Sequence, residues 1–272
     1  METRKTKSYL QETEKRTDRS IKLDTRKIRA FKKSKEKRSL QMLTCYDYQT
    51  ASMLNETKLD LILVGDSLGN VILGYDHTIS VDINTMKLFC GAVKRGAPQK
   101  FVIGDMPFGS YASLETGLTN AIQLFQASGI EAIKMEGAFP YQLELIERLT
   151  QVGIPVMGHI GLTPQSVHEQ GGYYTHGKDQ SSKNKLIKEA LALEAAGVFS
   201  IVLECVEESV AKEITKKLKI PTIGIGSGTD TDGQVLVIND LLKMGSNTPP
   251  KFCKPIADLF STKKQLIEKY LK

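Results

Sequence analysis

A single (β/α)8 barrel is the fold that the sequence predicts. Three observations lead there. Past residue 38, eight short β-rich runs alternate with longer segments of helical character. Most of those runs are near-continuous in apolar residues, as parallel strands covered on both faces are. The glycine-rich turn GIGSG (224–228) follows the seventh run. An open dinucleotide-binding sheet would place such a turn after the first.

The elements follow in order. LQMLTCYD (40–47) is the first strand. DLILVGDS (60–67) is the second, four apolar residues leading into Gly65, Asp66 and Ser67. KFVIGDMP (100–107) sets Asp105 just before Met106–Pro107, and 114–129 has helical spacing that closes on Gly129, a residue suited to a helix C-cap. AIKMEGA (132–138) and IPVMGHIG (154–161) are strands four and five. Segment 183–197 is a helix ending at Gly197, and FSIVLECV (199–206) is strand six. The amphipathic segment 209–219 leads through Ile220–Pro221 into IPTIGIGSG (220–228). VLVIND (235–240) is the eighth strand, and a terminal helix closes the chain.

The chain has 272 residues and a formal net charge of +6. Residues 1–38 hold 15 Lys and Arg against 6 Asp and Glu; the remainder is slightly acidic. The basic excess is therefore an N-terminal feature and not a folded basic face, which argues against nucleic acid as the main partner. Residues 1–20 are expected to be a solvated, disordered tail and 21–272 the barrel. Glu2, Glu12, Glu14 and Asp18 oppose a transit peptide, a class poor in acids. With no secretory pattern and no apolar run long enough to span a bilayer, a cytoplasmic location is expected. The four cysteines form no C-x-x-C pair and are expected to be reduced, mostly in packing roles, with Cys253 at the surface.

Five consecutive strands end in ionisable residues: Asp66 with Ser67, Asp105, Lys134 with Glu136, His159, and Glu204. Each alone has a bland reading. Asp66 could cap a helix, Asp105 could be a turn acid, Lys134 and Glu136 could pair internally, and His159 could be a hydrogen-bonded core residue. Together they would converge on the face where barrel enzymes place their chemistry. Asp66, Asp105 and Glu136 offer hard oxygen donors and no thiolate, which suits Mg2+ better than zinc. Such a metal would keep open positions for a 2-oxo acid. Lys134 would offset negative charge, and Glu204 could act as a base.

At these residues the sequence resembles the ketopantoate hydroxymethyltransferase family. The matching stretches include MLTCYDY (42–48), LVGDSLGN (63–70), GDMPFGSY (104–111), KMEG (134–137), GHIGLTPQS (158–166), LECV (203–206) and TDGQVLV (231–237). The match runs in order over roughly residues 22 to 260. The resemblance implies a barrel assembled into a large homo-oligomer, Mg2+, and 5,10-methylenetetrahydrofolate as one-carbon donor. Carried over by position, Asp66, Asp105 and Glu136 match metal ligands. Asp66, Ser67, Asp105 and Lys134 match contacts to the 2-oxo acid, Glu204 matches the proton acceptor, and His159 lines the site. The chain departs from the family pattern at Ala138 and Lys243, where a glycine is usual, at Ser80 and at Asn239.

Two rivals are weighed beside this. A barrel lyase or mutase of the isocitrate lyase and phosphoenolpyruvate mutase type would also grip an oxo acid through Mg2+. It would be expected to show a K-x-C-G-H loop, and none occurs. A non-catalytic barrel with a nucleic-acid-binding tail would be free to lose the acid set, which is intact.

Overall fold

Strand β1 (Leu40–Thr44) pairs in parallel with β2 (Leu61–Val64) on one side and with β8 (Gly233–Leu236) on the other. Between them, β3 (Phe101–Asp105), β4 (Ala132–Glu136), β5 (Val156–Gly161), β6 (Ser200–Glu204) and β7 (Thr222–Ile225) complete a closed barrel in sequence order. This is a computed structural model describing residues 22–34 and 38–272. The expected tail at 1–20 lies outside the described residues.

Period-two alternation sorts each strand into an inner and an outer face. The inner faces bury Leu40, Met42, Leu61, Phe101, Met157 and Ile223 as one core. Phe101 and Phe199 meet edge to face within it at 5.7 Å. A helix the sequence reading did not single out, α1 (Thr25–Phe31), plugs the end of the barrel away from the strand C-termini. Asp24 caps it by accepting from Lys27 N at 2.8 Å, and Ile28 is fully buried among the inner residues.

The outer faces pack on the helical ring. In chain order it comprises α2 (Tyr48–Asn55), the single turn α3 (Leu68–Val71), α4 (Ile83–Gly96), α5 (Leu114–Ser128), α6 (Pro140–Gln151), the short α7 (Val167–Gln170), α8 (Gln180–Ala195) and α9 (Glu208–Lys217). Asp47, Asp82, Ser113 and Asp179 each accept from a first-turn backbone N–H, so local side-chain chemistry fixes where these helices begin. The short α10 (Ile238–Leu241) and the terminal α11 (Leu259–Tyr270) finish the chain.

Several expectations need correction. Strand one stops at Thr44 rather than at 47, and strand seven spans Thr222–Ile225 rather than 220–228. Strand two stops at Val64, leaving Asp66 and Ser67 in the turn beyond it. Strand eight starts earlier and ends earlier than 235–240: Gly233 pairs with Leu40, and Thr44 Oγ1 accepts from Ile238 N at 3.0 Å to start α10. Cys253 is buried, at 5% exposure. The GIGSG turn is satisfied internally. Ser227 Oγ donates to Leu203 O at 2.8 Å, and Gly226 lies against the Phe252 ring. Among the described residues no helix is long and apolar enough to cross a membrane.

Lys243, standing where the resemblance expects glycine, has φ 45°, a left-handed conformation that glycine adopts without strain. Its ammonium pairs with Asp258 at 2.5 Å, but both side chains are more than a third exposed, so the pair adds little. Relief of roughly 1–2 kcal/mol of left-handed strain should exceed the roughly 0.5–1 kcal/mol entropic cost of a glycine. Lys243→Gly is therefore expected to raise the urea midpoint modestly. A lower midpoint would show that the Asp258 pair outweighs the strain.

Candidate active site

The inner-face alternation that buries apolar side chains deep in the barrel brings ionisable ones to its C-terminal rim. Strand register then sets the neighbours. Asp105 lies opposite Lys134, Glu136 opposite His159, and Gly161 opposite Glu204. Asp66 and Ser67 reach the same place from the turn after β2. All seven expected residues, Asp66, Ser67, Asp105, Lys134, Glu136, His159 and Glu204, line one cavity of about 260 Å³. Leu63, Val202, Ile225, Val235 and Val237 supply its apolar walls.

The bland readings can now be tested. Asp66 caps no helix; Ser67 holds the N-cap position of α3 without a side-chain cap bond. Lys134 makes its ion pair with Asp105 rather than with Glu136. The second oxygen of Asp105 accepts from Asp66 N at 3.1 Å. His159 stands between two acids, its Nδ1 at 3.4 Å from Glu136 and its Nε2 at 3.2 Å from Glu204. Neither contact is aligned as a hydrogen bond, so the hold is ionic. Ser67 Oγ shares a hydrogen bond with Tyr46 OH at 2.8 Å.

Electrostatics follow from the crowding. Burial, then the charges of Asp105 and Glu136, push the Asp66 carboxyl well above the ordinary carboxylate range. Burial also raises Asp105, although Lys134 opposes it. For Glu136 burial works upward but is outweighed by His159 and Lys134, and the net direction is down. Burial lowers His159, yet its contacts with Glu136 and Glu204 win and bring it up to about 9, so the imidazole is a cation at neutral pH. Lys134 likewise stays charged, because burial loses to the surrounding acids.

Four carboxylates thus face two cations in a largely buried cavity. A divalent cation would balance that excess. Among the described residues no three His, Cys, Asp or Glu side chains form a ready cage for an ion. Asp66, Asp105 and Glu136 all line the cavity and could hold an ion only openly, with waters or substrate completing its shell. That suits Mg2+, which keeps several waters and takes one or two carboxylates together with substrate oxygens. It does not suit a closed structural zinc site.

Two backbone features set the base candidate in place. A Cβ on Gly161, which has φ 97°, would fall 2.3 Å from Glu204 O, and Leu162 N donates to that same oxygen at 2.8 Å. Cys205, next along, holds φ 48°, an uncommon left-handed conformation for a residue with a side chain. Gly161→Ala is expected to displace the Glu204 backbone. The measured result should be an activity loss of at least about tenfold with roughly 2 kcal/mol of destabilisation. Wild-type turnover in a stably folded variant would show that the contact yields without moving Glu204.

Sequence reasoning missed Gln165. The amide is buried and donates from Nε2 to Asp66 Oδ2 at 2.8 Å, and its backbone N donates to Glu136 Oε2 at 3.1 Å. It belongs to the quoted GHIGLTPQS stretch, but a glutamine beyond a strand end reads as loop polarity, and only the fold turns it inward. A larger cleft of about 540 Å³ adjoins the cavity. Glu136 lines both, and Tyr174 and His176 lie stacked at 4.4 Å in its wall.

Comparison with known proteins bears on this arrangement. The family model described as ketopantoate hydroxymethyltransferase matches residues 22–272. The chain is 50% identical to 3-methyl-2-oxobutanoate hydroxymethyltransferase of Thermosipho africanus, over 89% of this chain and 91% of that one. It is 48% identical to the enzyme of the same name from Leptospira interrogans, with 88% and 90% covered. Among solved structures, phosphonopyruvate hydrolase with oxalate and Mg2+ superposes with a TM-score of 0.59 at 13% identity, covering 79% of this chain and 81% of that one. A 2,3-dimethylmalate lyase of the phosphoenolpyruvate mutase and isocitrate lyase superfamily gives 0.58 at 13%, over 90% and 85%. At such identity these structures show a shared fold.

Proposed function

The chain belongs to the ketopantoate hydroxymethyltransferase family, and from that premise we propose that it forms ketopantoate from 3-methyl-2-oxobutanoate in pantothenate synthesis. The one-carbon donor in this reading is 5,10-methylenetetrahydrofolate. The observation that best supports it is the convergence of all seven expected residues on one small cavity with acidic, cationic and apolar sectors.

Each sector has a task. Asp66, Asp105 and Glu136 would hold Mg2+, directly or through its waters. When bound, the ion supplies Lewis-acid polarisation of the substrate ketone. Lys134 and Ser67 hold the substrate carboxylate, and the valine and isoleucine walls take the branched alkyl group and exclude water. Glu204 accepts the proton from C3. His159, cationic and 3.2 Å from Glu204 Oε2, holds that side chain in place for the transfer. The donor's methylene is joined to two folate nitrogens. One C–N bond opens, water adds to the carbon, and the second C–N bond breaks, giving formaldehyde and tetrahydrofolate, whose two nitrogens take the protons of the water. The C3 carbanion then adds to the formaldehyde carbon, and the new alkoxide takes back the proton held by Glu204 to give ketopantoate. The adjoining cleft gives room for a second, bulkier reactant.

This reading includes a homo-oligomer in the cytoplasm. Exposed apolar residues on α11, Leu266 and Ile267 among them, support assembly. Thiol chemistry of the kind the lyase rival would need finds no support: burial pushes the Cys45 and Cys205 thiols up to about 11. The test is direct. Purified protein given the 2-oxo acid, methylenetetrahydrofolate and Mg2+ should yield ketopantoate. Folate-independent cleavage of an oxo acid, with no ketopantoate, would favour the lyase reading.

A further inference from the structure

The geometry points to Gln165 as a positioning residue that sets the Asp66 carboxylate for the 2-oxo acid and its metal, with Tyr111 fixing the amide in turn. The inference rests on the proposed function of the cavity. Gln165 sits in a single 3-10 turn (Pro164–Ser166) beyond β5. Both amide hydrogens are engaged: Nε2 donates to Asp66 Oδ2 at 2.8 Å and to Met106 O at 2.9 Å. Oε1 accepts from Tyr111 OH at 2.6 Å. The amide can face only one way. Turned over, it would set its carbonyl oxygen against a carboxylate and a peptide oxygen, neither of which can donate.

The consequence reaches three strands. The side chain ties the turn after β2, through Asp66, to the residue following Asp105, through Met106. The backbone N of the same residue ties Glu136 at the end of β4. With Oδ2 committed to Gln165, Asp66 has its other oxygen left to face the cavity. Gln165 is the only side chain among the described residues that donates to Asp66, so without it nothing in the turn fixes the orientation of that carboxylate.

Gln165→Met keeps length and volume while removing both donors and the acceptor. In its crystal structure the Asp66 carboxylate should leave its wild-type rotamer; an unmoved carboxylate overturns the inference whatever the activity. In kinetics the KM for the 2-oxo acid should rise on the order of 10- to 100-fold, the range for loss of a ligand-orienting partner, with kcat changed less. In an Asp66→Asn background the same change should weaken Mg2+-dependent binding of the 2-oxo acid by less than about threefold, because Asp66 is the route of the effect. Full, additive losses would assign Gln165 a general structural role and overturn the inference. Tyr111→Phe removes only the hydroxyl, so it should fold normally and give a smaller change in the same direction. If wild-type protein fails to consume the 2-oxo acid, the proposed function falls, and the crystal comparison still decides the positioning claim.

Discussion

Glu204→Gln is expected to abolish hydrogen–deuterium exchange at C3 of 3-methyl-2-oxobutanoate while leaving Mg2+-dependent binding of that acid in place. Glutamine keeps the shape of the side chain and can still face His159, but it cannot accept a proton. Removing a positioned general base typically costs about 10²- to 10⁴-fold. The loss should fall on kcat and on exchange alike, because both need the proton removed. Calorimetry in the presence of Mg2+ separates the effects, since Glu204 is not among the three proposed metal donors. Glu204→Asp should retain a fraction of the exchange, limited by reach. Exchange at the wild-type rate in the glutamine variant would place the base elsewhere, and the first alternative would be Glu136, the other carboxylate beside His159 at 3.4 Å.

The barrel was legible in the sequence because parallel buried strands leave apolar runs of the right length, and helix ends such as Gly129 leave chemical marks. What failed was local. In β2 the apolar run continues into Gly65–Asp66–Ser67, and nothing in the sequence shows that the ladder stops at Val64. In β8 the extended-looking 238–240 turns helical because Thr44, some two hundred residues away in the chain, offers an acceptor. The convergence of Asp105, Lys134, Glu136, His159 and Glu204 on one rim was legible because strand ends converge in any such barrel. Gln165 and Tyr46 were not, since their roles arise from turns whose direction only tertiary packing fixes. α1 went unnoticed because one fully buried residue, Ile28, flanked by basic residues makes too short an apolar pattern to mark a seven-residue helix.

Asp66→Asn is expected to separate function from stability. Asparagine preserves the outline and can still accept from Gln165, so the fold has no packing reason to fail. The aspartate it replaces is penalised as an anion by burial and by Asp105 and Glu136. A carboxyl raised in the folded state above its ordinary value of 3.8 holds its proton more tightly there than in the unfolded chain. Its stabilising contribution is therefore present in acid and is lost as pH rises through the folded value. At pH 7 and without Mg2+ the variant should melt no lower than wild type, and the gap in its favour should widen from acid to neutral pH. Saturating Mg2+ with the 2-oxo acid should reverse the order, because only wild type gains binding linkage of RT ln(1 + [L]/Kd). Loss of this donor should weaken metal-dependent binding of the 2-oxo acid on the order of 100-fold, about 2.7 kcal/mol. A variant that melts well below wild type without metal, yet keeps the Mg2+-dependent rise, would make Asp66 a structural acid. The metal would then have to be held from Asp105 and Glu136 alone.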